Sequence, residues 1–113
     1  MPFIDTKTSV KISGDAELRL KEAFGKAIEL IPGKSERWLM INFDDGCRMY
    51  LAGSDAPCAI LEVKIFGKST EEAYEMLTAA LTDIVSRELS IAPERVYVKY
   101  DEVGTWGYNG GNF

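Results

Sequence analysis

The sequence predicts one α+β domain of two layers, a four-stranded mixed sheet with two helices on one face and short additional strands at its margin. Three observations lead there. Two stretches repeat apolar residues at alternating spacings of three and four: Leu20, Ala23, Phe24, Ala27, Ile28 and Ile31, then Ala73, Met76, Leu77, Ala80, Leu81 and Ile84. That spacing is the mark of a helix that packs on one side only. Strand-like runs stand before and after each helix, and the two halves of the chain resemble one another.

Phe3 to Thr8 alternates, with Ile4, Thr6 and Thr8 on one side and Phe3, Asp5 and Lys7 on the other, and opens the chain as a strand. Ser13-Gly14-Asp15 supplies an N-cap and early negative charge for the first helix, and Pro32-Gly33 ends it. Trp38 to Phe43 is nearly continuous apolar sequence and predicts a strand buried on both faces. Asp44-Asp45-Gly46 is a turn, Met49-Tyr50-Leu51 a candidate hairpin strand, and Gly53 to Pro57 a loop before a strong strand from Cys58 to Phe66. Ser69 and Glu72, three apart, form a capping box that opens the second helix. Pro93-Glu94-Arg95 leads into a strand over Val96 to Tyr100, and a glycine-rich, aromatic tail closes the chain.

Glu36-Arg37 corresponds to Glu94-Arg95 at an offset of 58, while Leu20 corresponds to Leu77 at 57, which predicts a one-residue difference in the second helix-to-strand connection. The single domain over residues 1–113 then comprises two βαβ pseudo-repeats, about 2–56 and 58–113, each with parallel strands. Two helices cover one face of the sheet. The runs Trp38 to Phe43 and Cys58 to Leu61 read as apolar on both faces, so the second face is expected to be buried in a closed oligomer.

Composition narrows the chemistry. The 113 residues are 46% hydrophobic and 27% charged, enough for one core, and the net charge of −5 offers no basic stripe for nucleic acid. The chain has no histidine, which removes histidine triads and the commonest metal ligand. Its two cysteines, Cys47 and Cys58, cannot close a zinc site by themselves, and no metal or cofactor is expected. Reduced cysteines, the lack of a leader pattern and the lack of a long apolar run predict a soluble cytoplasmic protein with no membrane partner, any export proceeding without a leader.

Pro2 carries the functional reading. Initiator methionine is normally removed when the next residue is small, which would leave a free secondary amine on a rigid ring at the head of a strand. Ordinary α-amino groups titrate near ~7.7 to 8.0. An apolar pocket lowers that value by disfavouring the cation, and a neutral amine near pH 7 can take a proton from carbon.

Several motifs at matching spacing resemble the macrophage migration inhibitory factor family of the tautomerase superfamily. They are Met1-Pro2, Gly33-Lys34, Gly53-Ser54 with Pro57-Cys58-Ala59, Phe66-Gly67-Lys68, Pro93-Glu94-Arg95-Val96-Tyr97, and Asn109-Gly110 with Phe113. The resemblance covers the whole chain and implies a tautomerase-type fold and a homotrimer whose sheets surround a channel. It implies Pro2 as the catalytic base of a cofactor-free keto–enol tautomerisation of phenylpyruvate-type α-keto acids. Lys34 would hold the substrate carboxylate, and the backbone N–H of Phe66 would bond the ligand. Trp38, Tyr108 and Phe113 would form pocket walls, and Tyr97 would come from a neighbouring subunit. The chain departs from the family pattern at Lys99, where an asparagine is frequent, at Lys64, where better-known members carry histidine, and at Leu61, which breaks a CxxC motif. The two lysines would add cations to the pocket, and no thiol–disulfide activity is implied. Two other readings follow from the same resemblance. One is a cytokine-like interaction protein that binds a receptor. The other is a sister chemistry (hydration, dehalogenation or decarboxylation) that recruits a further arginine, for which Arg37 is the candidate.

Overall fold

The computed structural model describes residues 1–113. In chain order the elements are β1 (Pro2–Thr8), α1 (Gly14–Ala27), β2 (Met40–Asp44), β3 (Ala59–Phe66), α2 (Glu71–Leu89), β4 (Val96–Val103), and the two-residue strands β5 (Gly107–Tyr108) and β6 (Gly111–Asn112). The main sheet has the order β2-β1-β3-β4. β1 pairs in parallel with β2, β3 in parallel with β4, and the two halves join through an antiparallel β1–β3 pair at the centre. Cross-connection helices are what parallel neighbours require. No helix is long and apolar enough to cross a membrane.

Alternation decides which face is covered. Ile4, Thr6 and Thr8 of β1 and Ala59, Leu61, Val63 and Ile65 of β3 point toward the helices and are buried. Against them lie Leu20, Phe24 and Ile28 from the first helix and its 3₁₀ extension, with Leu77, Leu81 and Val85 from α2, all at 0% exposure. Each such side chain contributes about 1.5–3 kcal/mol by leaving water. The Ser13 hydroxyl caps α1 by accepting from the Ala16 N–H at 3.2 Å, and Thr70 caps α2 by accepting from Ala73 at 3.1 Å. The cap is therefore Thr70 and not Ser69, whose own N–H instead donates to the Tyr74 hydroxyl at 3.1 Å.

The two halves of the fold correspond at one fixed offset. A shift of 57 residues carries Ser13 to Thr70, Leu20 to Leu77 and Ile28 to Val85, and it carries the pair Phe3–Met40 onto the pair Ile60–Tyr97. The offset stays at 57 through the helix-to-strand connection, because the 3₁₀ turns Glu36–Trp38 and Pro93–Arg95 superpose under the same shift. The expected extra residue is absent, and the likeness of Glu36-Arg37 to Glu94-Arg95 is one of letters. Arg95 is the counterpart of Trp38.

Two further expectations are corrected. The run from Trp38 is not a doubly buried strand: Trp38 ends a 3₁₀ turn, and in β2 the partly buried Ile41 and Phe43 alternate with Met40, 68% exposed, Asn42 and Asp44. β3 likewise turns Glu62 and Lys64 outward. The open face of the sheet thus carries charge along its centre. Lys7 meets Asp5 at 2.7 Å and Glu62 at 3.5 Å, and Lys99 meets Glu62 at 3.6 Å and Asp101 at 3.4 Å. Asp5 and Glu62 stand directly opposite each other, a repulsive pairing that Lys7 bridges. The candidate strand at Met49–Leu51 is reduced to one bridge, Leu51 with Ser54. Arg95 organises that loop instead, donating to the carbonyls of Leu51, Ser54, Ala56 and Pro57 at 3.0–3.1 Å.

Two buried hydroxyls are unsatisfied, those of Thr6 and Ser86. The Thr6 hydroxyl, at 0% exposure, finds no hydrogen-bond partner, and its counterpart under the 57-residue shift is Val63, also fully buried. Thr6→Val should therefore raise the free energy of unfolding by about 1 kcal/mol, because a desolvated hydroxyl is replaced by a methyl of the same shape. Urea denaturation measures it, and a loss of the same size would mean that the hydroxyl has a partner in solution.

Candidate active site

Pro2 is the first residue of β1 and stands opposite Ile65, near the end of β3. The ladder continues one step past it, where the Phe66 N–H donates to the carbonyl of Met1 at 3.0 Å. Just beyond, Gly67 adopts φ +85°, a conformation costly for residues with a Cβ, and its N–H bonds the Val103 carbonyl at 3.0 Å. The start of the chain is thereby pinned against the point where β3 turns away.

Lys34 reaches the same point from the other layer. After the 3₁₀ extension of α1, Ile31 is buried and Gly33 takes φ +84°, and the chain turns so that the Lys34 N–H bonds the Ile31 carbonyl at 3.1 Å. The Lys34 ammonium donates to the Phe66 carbonyl at 3.0 Å and pairs with no carboxylate. Its neighbour is the amino terminus. Burial first, and the Lys34 charge second, pull the Met1 amine down from 8.0 to about 6. The Met1 amine is thus mostly neutral at pH 7.

The aromatic walls come from two places. The 3₁₀ turn Glu36–Trp38 presents Trp38, and the C-terminal hairpin β5–β6 presents Tyr108 and Phe113. The hairpin turns through Asn109 and Gly110, both at positive φ (52° and 81°), as a two-residue type I′ turn requires. The Phe113 N–H closes it onto the Trp106 carbonyl at 2.9 Å. Trp38 meets Tyr108 edge to face, with centroids 5.2 Å apart, and Phe113 lies 5.7 Å from Phe66 and 6.3 Å from Tyr108. These separations are within the range favoured by aromatic pairs.

Two cavities flank Met1. One, of about 490 Å³, is lined by Pro2, Trp38, Met40, Trp106 and Tyr108 among others, with Arg37 stacked over the Trp38 ring at 5.2 Å. The other, of about 290 Å³, is lined by Gly33, Phe66 and Phe113 and shares Met1 and Trp38 with the first.

The structure brings together Pro2, Lys34, Trp38, Phe66, Tyr108 and Phe113. It does not bring Tyr97, Lys99 or Lys64 to that cavity within one chain. Tyr97, 56% exposed, pairs with Ile60 six residues along β3 from Phe66 and lines an apolar cavity with Tyr50, Leu51 and Cys58. Lys99 belongs to the charged centre of the open face. Lys64 does too, 3.9 Å from both Glu62 and Asp101 and 5.9 Å from the ring of Phe3. Trp106 and Met40 are wall residues that the sequence did not single out. Trp106 was visible only as one more aromatic in the tail, and Met40 was assigned to a buried strand. Cys47 and Cys58 are both free thiols. No group of three histidine, cysteine or acidic side chains is arranged to hold a metal ion.

The family model for macrophage migration inhibitory factor matches residues 1–113. The macrophage migration inhibitory factor homolog of Brugia malayi is 24% identical over 115 residues, covering 100% of this chain and 99% of the relative. The D-dopachrome decarboxylase of Gallus gallus is 27% identical, covering 94% and 90%. Among solved structures, Leishmania major MIF2 superposes with a TM-score of 0.94 at 32% identity, covering 100% of this chain and 97% of that one. The homologue from Prochlorococcus marinus gives 0.89 at 28%, covering 98% of each. With its two helices on a four-stranded mixed sheet and a model match along its full length, the chain belongs to the macrophage migration inhibitory factor family and has the tautomerase fold.

Proposed function

We propose that the chain, once Met1 is removed, is a cofactor-free tautomerase for aryl α-keto acids of the phenylpyruvate type, with Pro2 as acid and base. The observation that carries this reading is the bond from the Phe66 N–H to the Met1 carbonyl, 3.0 Å long, beside the Lys34 ammonium. That carbonyl is attached to the Pro2 nitrogen. Removing Met1 frees the nitrogen, frees a backbone donor aimed at an oxygen next to it, and joins the two cavities into one.

The chemistry follows from these groups. The neutral Pro2 nitrogen takes a proton from the carbon beside the keto group, and the C–H electrons form the C=C bond as the carbonyl becomes an enolate. The Phe66 N–H and the nearby cation stabilise the oxygen as its charge grows, and the Pro2 ammonium returns its proton to that oxygen. One positioned base contributes about 10²- to 10⁴-fold, and one oxyanion donor about 10²- to 10³-fold. The substrate carboxylate pairs with Lys34, and the ring lies among Trp38, Trp106, Tyr108 and Phe113. The proposal includes a homotrimer in which Tyr97 of one copy completes the site of another. The apolar cavity around Tyr97 supports it, since a water-exposed apolar recess at a sheet end is a natural seat for a neighbour.

Two measurements test this reading. Ultraviolet assay of phenylpyruvate tautomerisation should show activity in the Met1-free protein, a loss of about 10²-fold or more in Pro2→Gly, and none in protein that retains Met1. Binding without turnover by the processed wild type would sink the enzyme reading and leave an interaction protein. The second is the pH profile of kcat/KM, which reports the free enzyme. Because the working form is the neutral amine and its surroundings disfavour the cation, activity should persist well below pH 8 and fall only as the amine protonates. Lys34→Gln removes a neighbouring positive charge, so the acid limb should move to higher pH. An acid limb that stays in place would show that Lys34 does not act on this amine.

A further inference from the structure

We infer that the preferred substrate carries a second anionic group on its aryl end, received by Arg37. The inference rests on the tautomerase reading above and names the substrate class of that same site. It is carried by the charge balance of the cavity. The protein has a net charge of −5, yet no aspartate or glutamate lines the cavity that contains Pro2, and Arg37 is the one charged side chain there. Arg37 forms no ion pair and no hydrogen bond to a side chain or to the backbone, whereas Arg19 and Arg87 pair with carboxylates at 2.7 and 3.0 Å and Arg95 is saturated by carbonyls.

The guanidinium is nonetheless held in place. It stacks over Trp38 at 5.2 Å, and Trp38 is itself fixed edge-on against Tyr108 at 5.2 Å. Contact with the ring face occupies none of the five N–H donors, which leaves them free for bidentate recognition of a carboxylate. Beside the opposite cavity, next in sequence to its lining residue Gly33, Lys34 is in the same condition, a cation whose side chain bonds only a carbonyl, that of Phe66, at 3.0 Å. Both cavities are lined by Met1 and Trp38, so loss of Met1 opens them toward each other, with Arg37 in one, Lys34 beside the other and aromatic walls between. An aryl α-keto acid with only its own carboxylate satisfies Lys34 and leaves Arg37 unused. A diacid satisfies both. The pseudo-repeat sharpens the point, because the counterparts of Trp38 and Lys34 in the second half are Arg95, consumed by four carbonyls, and Ile91, buried in the core.

The test compares 4-carboxyphenylpyruvate with 4-hydroxyphenylpyruvate, which fills the same length without charge, on Met1-free wild type, Arg37→Gln and Arg37→Lys. The quantity read is the ratio of kcat/KM for the diacid to that for the hydroxy acid, so that any effect on the shared part of the site divides out. Wild type should favour the diacid. Arg37→Gln should lower the ratio about tenfold or more, as expected for a lost charge-assisted hydrogen bond, chiefly through KM, and Arg37→Lys should retain part of it. Turnover of the hydroxy acid with a ratio unchanged in Arg37→Gln, or with no turnover of the diacid by wild type, overturns this inference and leaves the tautomerase reading standing. Turnover of neither compound by wild type overturns both. Turnover of the hydroxy acid by each variant shows at the same time that the variants are folded.

Discussion

The antiparallel pairing of β1 with β3 is the constraint on which the rest depends. It joins the two halves of the sheet, and it runs unbroken from Thr8 opposite Ala59 to Pro2 opposite Ile65. One further step, from the Phe66 N–H to the Met1 carbonyl, brings the head of the chain to the place where β3 ends. Everything chemical about the site is set by that step. The Met1 amine is partly desolvated at this sheet end, and it meets Lys34 because the chain returns to the same place after α1.

Near-exact repetition makes the departures informative. With the same 57-residue shift holding through strands, helices and caps, the two helix-to-strand connections occupy equivalent places and have been put to different uses. In the second half Arg95 turns inward on the chain and ties down the loop from Leu51 to Pro57. In the first half Trp38 stands at the equivalent place with an open cavity beside it, and Arg37 lies over its ring. One connection supports the fold, and the other forms a recess.

Much of this was legible in the residues. The helical spacing of Leu20 to Ile31 and Ala73 to Ile84, the alternation of Phe3 to Thr8, and the stops at Pro32-Gly33 each report a physical requirement that does not depend on distant contacts. Other features were hidden for identifiable reasons. Ser35-Glu36-Arg37-Trp38 runs into an apolar stretch, so periodicity could not separate a 3₁₀ turn from the strand that follows. Thr70 took the cap from Ser69 because the Tyr74 hydroxyl and Glu102 engage the Ser69 N–H, a contact spanning 33 residues to Glu102 that local pattern cannot register. β5 and β6 are too short for any alternation, and only Asn109-Gly110 announced their turn. The pocket roles given to Tyr97, Lys99 and Lys64 came from resemblance, and a single chain sets these residues elsewhere on the sheet.

The nitrogen of Pro2, and no other group, is the proposed reactive atom of this recess. Mass spectrometry of the Met1-free protein after exposure to an alkynyl α-keto acid tests it most directly. Addition of the neutral secondary amine to the alkyne forms one C–N bond at the expense of one C–C π bond, the nitrogen gives its proton to solvent, and the adjacent carbon takes one from solvent. The expected result is a single adduct per chain, mapped to Pro2 and suppressed by phenylpyruvate. An adduct on Lys34 or on a cysteine with Pro2 unmodified would contradict it.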